Sequence, residues 1–223
     1  MLTDRDYKII KFVGTFGKGY VEVLAKTFFA GTSEQVARNR INKLVNQDNV
    51  LKHVSTGLSK PRFYLALTEY GREIAEDMGI ETVKTPHFAM STVKHNMLEQ
   101  IVYFWISQIR EITRTTVKSH SKLGFSHTPD MVFNSASGKR VYVECEVTKK
   151  TSKRYGDIFV SMLRDDVEMV LYVMNDEAEM VRMAKVMPPF DRLRFTTIDR
   201  LISSITKDKK ISSLKQNDVI QGG

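Results

Sequence analysis

Three carboxylates and a pair of lysines mark the stretch of this chain best equipped for chemistry. Asp130 closes Thr128-Pro-Asp130, and Glu144 and Glu146 lie in Arg140-Val-Tyr-Val-Glu-Cys-Glu-Val-Thr-Lys-Lys150. The segment reads as two short strands joined by Asn134-Ser-Ala-Ser-Gly-Lys139. Strict alternation in the second strand sets Val141, Val143, Cys145 and Val147 on one face and Tyr142, Glu144 and Glu146 on the other. Two carboxylates two residues apart on a strand stand side by side, and they repel unless water or a cation lies between them. Asp130, at the end of the preceding strand, adds a third hard oxygen ligand, and such a set suits Mg2+ or Mn2+. Lys149 and Lys150 follow at once, placed to meet a phosphate or activate a water. The competing reading is a salt-bridged strand in which the acids pair with Lys149, Lys150, Lys153 and Arg154, as charged edge strands often do.

The rest of the chain must position these groups. Its 223 residues suffice for one large domain or two small ones, and the apolar content is ordinary. A formal charge of +8 favours an anionic partner, with nucleic acid ahead of a membrane. A single cysteine excludes internal disulfides and a cysteine-based zinc site, and fits a reducing cytoplasm. Cys145 falls on the apolar side of its strand, as a small buried hydrophobe does. The opening Met-Leu-Thr-Asp-Arg-Asp is no signal peptide, and no apolar run is long enough to span a bilayer. The expectation is a cytoplasmic protein with no membrane partner.

Residues 1–80 read as helix–helix–helix–hairpin–helix. Thr3 or Asp4 caps a first helix with apolar positions Tyr7, Ile10 and Val13, and Gly14, Gly17 and Gly19 break it. A second short helix carries Val21, Leu24 and Ala25. Thr32 and Gln35 suggest a capping box for a third helix over 34–46. That helix has an apolar stripe of Ala37, Ile41, Leu44 and Val45. Its opposite stripe is Gln35, Arg38, Asn39 and Asn42, flanked by Arg40 and Lys43. Gln, Arg and Asn on one face are the side chains that read base edges in a major groove. The short turn before this helix is what a helix-turn-helix needs. Val50–Val54 and Arg62–Leu67 then form a basic-tipped hairpin, with Lys60 and Arg62 at its tip, and Leu67–Arg72 starts a closing helix. This is the order of a winged helix that binds double-stranded DNA. Between Ala37 and Arg62 stand six cations (Arg38, Arg40, Lys43, Lys52, Lys60, Arg62) and one acid, Asp48, a balance that favours the DNA reading over a merely solvated helix face.

Residues 81–90, with a proline and no periodicity, read as a linker. Residues 91–206 form a second domain of order α-β-β-β-α-β with a β-α extension. Ser91 or Thr92 caps a long helix with the stripe Met97, Leu98, Ile101, Val102, Trp105 and Ile109. A weak polar strand at 114–119 precedes the carboxylate hairpin. A helix over 153–164 carries Tyr155, Ile158, Phe159, Met162 and Leu163. The run Val167–Met174 reads as a central strand buried on both faces. A helix over 177–186, a strand over 193–197 and a helix near 198–205 complete the domain, and the polar residues 207–223 read as a mobile tail.

With Pro129-Asp130 before a turn and Glu144 on the next strand, the second domain resembles the PD-(D/E)xK, or restriction-endonuclease-like, nuclease fold. The position where that family usually has lysine is Glu146 here, a residue that some restriction enzymes also carry; Lys149 is placed to supply the missing cation. The whole chain also resembles the replication-relaxation proteins and the related MOBC-type plasmid mobilization relaxases. Those join a winged helix, opening much like Leu2-Thr-Asp-Arg-Asp6, to a nuclease-like domain. Their carboxylate strand is commonly followed by Thr, basic residues and Arg-Tyr, as in Glu146-Val-Thr-Lys-Lys150 and Arg154-Tyr155.

The resemblance implies a mixed α/β (α+β) chain, a winged helix-turn-helix followed by a restriction-endonuclease-like domain. It implies that Asp130, Glu144 and Glu146 hold Mg2+ or Mn2+ and that Lys149 or Lys150 stabilises phosphorane charge, while Lys150, Lys153 and Arg154 contact DNA. Glu99 on the long helix is a weaker fourth carboxylate, and His95 and His127 read as hydrogen-bonding residues. Without the His-rich triad of classical relaxases, metal-activated water is expected in place of attack by Tyr142 or Tyr155. The functional expectation is a DNA nickase that initiates plasmid mobilization or replication. The alternative is a catalytically silent DNA-binding regulator or relaxosome accessory protein, with the nuclease-like domain used for dimerisation. A homodimer and other relaxosome proteins are the further partners these readings allow. A protein-binding scaffold is the third reading, and the positive charge counts against it.

Overall fold

The computed structural model describes residues 1–83, 92–109, 112–114, 128–135, 137–147, 152–165, 167–187 and 190–208. The chain is mixed α/β with two sheets, and it divides into two compact units, Met1–Gln100 and Ile101–Gly223. Most of the expected linker, the Ser91 cap and the tail beyond 208 lie outside the described residues. No helix among the described residues is long and apolar enough to cross a membrane.

The first unit holds α1 (Asp4–Phe16), α2 (Val21–Phe28), α3 (Glu34–Asn46), β1 (Leu51–Ser55), β2 (Phe63–Leu67), α4 (Glu69–Asp77) and the start of α5 (Val93–Ser107). Thr3 caps α1, and its amide and hydroxyl both donate to Asp6 Oδ2 at 2.6 Å. The helix runs through Gly14 and stops at Gly17, whose φ of 69° is left-handed. Its buried face is Ile9, Ile10, Phe12, Val13 and Phe16. Tyr7 is exposed, because the i, i+4, i+7 series Ile9-Val13-Phe16 sets the stripe one side over from the expected one. Likewise α2 buries Val23, Leu24 and Thr27, so its inner face is rotated from the expected Val21 and Ala25. The cap of α3 is Ser33, whose side chain accepts from Val36 N at 3.4 Å. Thr32 instead donates its hydroxyl to Phe29 O at 2.8 Å, and the expected Thr32–Gln35 box is not made.

An ion pair joins α1 to α3. Arg40 Nε donates to Asp6 Oδ1 at 2.9 Å and a terminal nitrogen donates to Oδ2. Asp48 stands 3.6 Å from the same guanidinium. Burial alone would push the wholly buried Asp6 carboxyl up, but the bonds from Arg40 and Thr3 together outweigh it and hold the group below the ordinary aspartate value.

Strands β1 and β2 pair antiparallel from Leu51↔Leu67 to Ser55↔Phe63, and Gly19 exchanges two backbone bonds with Leu65 at 2.8 and 2.7 Å. Thr68 caps α4 by accepting from Gly71 N at 3.0 Å. Gly71 lies so close to the hairpin that a Cβ there would stand 2.1 Å from Val50 O. Gln100 Nε2 donates to Lys18 O at 2.8 Å, which ties the start of α5 into this unit.

The second unit continues α5 into β3 (Ile112–Arg114), β4 (Met131–Asn134), β5 (Arg140–Glu146), α6 (Ser152–Arg164), β6 (Met169–Met174), α7 (Glu177–Val186), β7 (Leu193–Thr197) and α8 (Ile198–Asp208). Only Arg114 of the expected 114–119 strand belongs to β3; positions 115–119 lie outside the described residues. α5 ends before Ile109, and Ile106 is the last residue it buries. The sheet order is β3-β4-β5-β6-β7, antiparallel from β3 to β5 and parallel from β5 to β7. Among the described residues β5 is therefore the middle strand of five, not an edge. One face packs Val132, Tyr142, Val170, Tyr172, Met174 and Leu193 with Tyr155, Ile158, Met180 and Met183 of α6 and α7. The opposite face, with Phe133, Val143, Cys145, Leu171 and Val173, is buried too. Hence β5 buries both of its faces, carboxylates included.

Two outcomes follow for stability. Gly71→Ala should destabilise the protein by roughly 2 kcal/mol, because the carbonyl it meets is backbone and the overpacked segment must shift; chemical denaturation measures it. Asp6→Asn should remove on the order of 2 kcal/mol at neutral pH, the loss of one partner of a largely buried pair. Since the folded carboxyl is depressed, its contribution is complete above about pH 4 and fades as the pH falls below that. Melting curves of the two proteins should therefore converge in acid; a gap that stayed constant with pH would contradict the ion-pair assignment.

Candidate functional site

The carboxylates assemble where β4 ends and β5 continues. Met131 pairs with Val143, so Asp130 stands just beyond the β4–β5 ladder, and its Oδ2 accepts from Cys145 N at 2.7 Å. This bond serves a backbone amide that β4 no longer reaches. Glu144 and Glu146 are 8% and 6% exposed. In the parallel register they pair with Tyr172 and Met174 of β6.

Tyr172 lies at the heart of this arrangement. It is 1% exposed, and its hydroxyl has no hydrogen-bond partner. Burial pushes its ionisation far above the ordinary phenol value, and the charges of Glu144, Glu146, Tyr155 and Asp130 push it further. All three expected carboxylates thus act on one buried phenol. They are oxygen donors of the type hard divalent cations take, so the donor chemistry fits Mg2+ or Mn2+. Among the described residues, no three His, Cys, Asp or Glu side chains are grouped closely enough to form a metal cage.

Tyr142 and Tyr155 are both enclosed. Tyr142 shares the carboxylate face, but its hydroxyl donates to the buried Asp165 Oδ2 at 2.8 Å. Burial, then Asp165, keeps that phenol strongly protonated. Tyr155 is buried in the α6 core. Of the neighbouring cations, Lys153 and Arg154 are exposed on α6, and Lys149 and Lys150 lie outside the described residues, as does His127. Glu99 is buried in the part of α5 that belongs to the first unit, and His95 is half-buried there; both already have interactions.

In the first unit α3 exposes Gln35, Arg38, Asn39, Asn42 and Lys43. Gln35 Nε2 donates to Asn39 Oδ1 at 2.7 Å, and Arg38 Nε donates to Glu34 Oε1 at 2.9 Å. Arg40 is engaged inward with Asp6 and Asp48, so it fixes the helix. At the hairpin tip Lys60 and Arg62 are exposed. The Arg62 guanidinium lies 5.3 Å from the centre of the Phe63 ring, which in turn stands 5.5 Å from His53.

Sequence reasoning missed Phe63, His53, Tyr172 and Asp165. Phe63 shares a face with the buried Leu65 and Leu67 but lies past the end of the core, so it stays 39% exposed. Tyr172 was hidden inside an apolar run, although its pairing with Glu144 follows once the two strands are set in register. Asp165 had no signal, because its partner lies on another element.

No protein-family model, no curated protein and no solved structure matches this chain.

Proposed function

We propose that this chain is a sequence-specific DNA-binding protein of a mobile element that acts as a metal-dependent nickase, starting plasmid mobilization or replication. The observation that carries the reading is the burial of Glu144 and Glu146 on the middle strand of the sheet, with Asp130 at the end of the β4–β5 ladder accepting from Cys145 N. Two acids two residues apart on one buried strand face repel one another, a repulsion that a bound cation would relieve. The first unit then acts as a winged helix. α3 would enter the major groove with Gln35, Arg38, Asn39 and Asn42 at base edges, with Lys43 on phosphate. Lys60 and Arg62 at the hairpin tip would meet the backbone, with the Phe63 ring supporting the arginine.

At the cutting site Asp130, Glu144 and Glu146 would hold Mg2+ or Mn2+. The bound metal supplies polarisation of the scissile phosphate and a water of lowered pKa. The chain's own groups do the rest. The Cys145 amide orients Asp130. The sheet and α6 shield Glu144 and Glu146 from bulk water. Lys149 or Lys150 would offset phosphoryl charge, and Lys153 and Arg154 would hold the strand. Water is the nucleophile, since Tyr142 is held by Asp165 and keeps its proton.

Two observations favour a second reading, a silent regulator or accessory factor with a nuclease-like dimerisation domain. Glu146 replaces the usual lysine, and Asp130 already has the structural task of serving Cys145 N.

Supercoiled plasmid carrying the element's intergenic region, incubated with the protein and Mg2+ or Mn2+, separates these readings. Wild type should nick it. Asp130→Asn and Glu144→Gln should reduce nicking by about 100-fold or more while DNA affinity holds or rises, because each loses a negative charge. Arg38→Ala and Asn39→Ala should weaken site binding by about 1–3 kcal/mol and blunt specificity, whereas Lys43→Ala should weaken all sequences alike. Tight site-specific binding with no nick under either metal would reject the nickase and leave the regulator.

A further inference from the structure

A cavity of about 200 Å3 opens at the carboxyl ends of β5 and β6, where Glu146 and Met174 are the last paired residues. The carboxyl ends of parallel strands are where open α/β sheets gather ligands. Its walls come from four elements: Glu146, Tyr155, Met174, and on α7 Glu179, Arg182 and Met183. Tyr155, Met174 and Met183 are buried core residues, so the cavity has an apolar body.

Its charges are arranged unequally. Glu179 Oε2 is shut off from solvent and has no hydrogen-bond partner among the described residues. A buried carboxylate oxygen left unsatisfied is destabilising, so such an atom marks a place where a donor is missing. Glu179 lies in the first turn of α7, where the macrodipole is positive, and Asp176 caps that turn by accepting from Glu179 N at 2.8 Å. Arg182 does not neutralise it. That side chain is exposed, its Nε donates to Ala178 O at 3.3 Å, and it forms no ion pair among the described residues. Glu146 adds a second carboxylate on the strand side.

We infer that this cavity binds a small organic ammonium compound with an apolar body. The ammonium donates to Glu179 Oε2 beside Glu146, and the body lies against Tyr155, Met174 and Met183. An aromatic ring and two thioethers suit a soft, partly apolar cation better than a hard metal, which asks for about six oxygens. Benzene fits an engineered cavity of about 150 Å3, so this one takes a compound somewhat larger, on the order of eight heavy atoms. Mixed walls with a few fixed polar groups are the usual form of a small-molecule site. The inference shares Glu146 with the proposed metal site, but it rests on Glu179 and the apolar cavity and holds whether or not DNA is cut.

The test is calorimetric titration of the full chain with benzylamine, with benzyl alcohol as the uncharged probe of equal size, and with Mg2+ alone. Benzylamine should bind saturably, and benzyl alcohol should bind about 10-fold more weakly or worse. Glu179→Gln should lower benzylamine affinity by a similar factor, about 10-fold, while its backbone cap to Asp176 persists. Val186→Trp fills the cavity from its half-buried rim without removing a charge, and it should abolish binding. Thermal unfolding checks that each variant folds, and Val186→Trp decides the matter if Glu179→Gln does not. Equal affinity for the two probes, unchanged binding in the folded variants, or heat from Mg2+ with none from benzylamine would overturn the assignment. Since binding and not cleavage is read, a failure here is distinct from a failure to nick.

Discussion

Two carboxylates on the middle strand of a sheet are the constraint that the second unit has to meet. A carboxylate taken out of water carries a desolvation penalty of several kcal/mol, and a second one two residues away adds repulsion. Glu144 and Glu146 are nearly as buried as Val143 and Cys145 beside them. Asp130 is drawn into the same neighbourhood, although one of its oxygens is spent on the Cys145 amide. The strand order makes this unavoidable. With β4 on one side and β6 on the other, no edge is left through which the acids can reach solvent sideways. Positive charge or donors must therefore be supplied from the helix side of the sheet or by a ligand.

The first unit meets a milder version of the same problem with an internal answer. Asp6 is wholly buried, yet it is served by Thr3 from its own helix turn and by Arg40 from α3. That pairing settles which residues of α3 are available for anything else. Arg40 is turned inward, while Arg38, Asn39, Asn42 and Lys43 stay outside. One helix thus carries a structural arginine and an exposed polar face two residues apart, and the division is made by a partner 34 residues earlier in the chain.

Local signals in the sequence were enough for the elements themselves. The apolar run ending at Met174 is a two-sided strand, and the alternation in Arg140–Glu146 is a strand of the right length, because both depend only on nearest neighbours along the chain. What could not be read was the identity of each neighbour across space. The edge-strand alternative for Glu144 and Glu146 was open because nothing local distinguishes an edge from a middle strand. Once β6 pairs on one side and β4 on the other, β5 is not an edge, which leaves the pairing of its acids with neighbouring cations untouched. Arg40 looked like its flanking cations, since a helix stripe does not reveal that Asp6 waits beneath it. The capping box failed for a subtler reason: Thr32 had a nearer carbonyl, Phe29 O, and Ser33 was already in position. The site was legible as residue types and spacing, and illegible as a set of contacts.

That distinction bears on what the acids are for. If the only task at this end of β5 were to satisfy the Cys145 amide, any short acceptor at position 130 would do, and a neutral one would spare the repulsion. If Glu144 and Glu146 were there only to fill space, apolar residues of similar size would be as stable or more so. Tyr172 shows the strain of the choice: a phenol sealed among acids, with no partner for its hydroxyl, is a poor core residue. Charge kept in such a place at the expense of stability is what binding or catalysis requires, and proteins depart from the most stable choice mainly where function demands it. The same logic reaches Glu179, a short distance along the sheet's carboxyl edge, whose buried oxygen is also unsatisfied. Both acidic places stand on one side of one sheet, the side of α6 and α7, at the ends of β5 and β6.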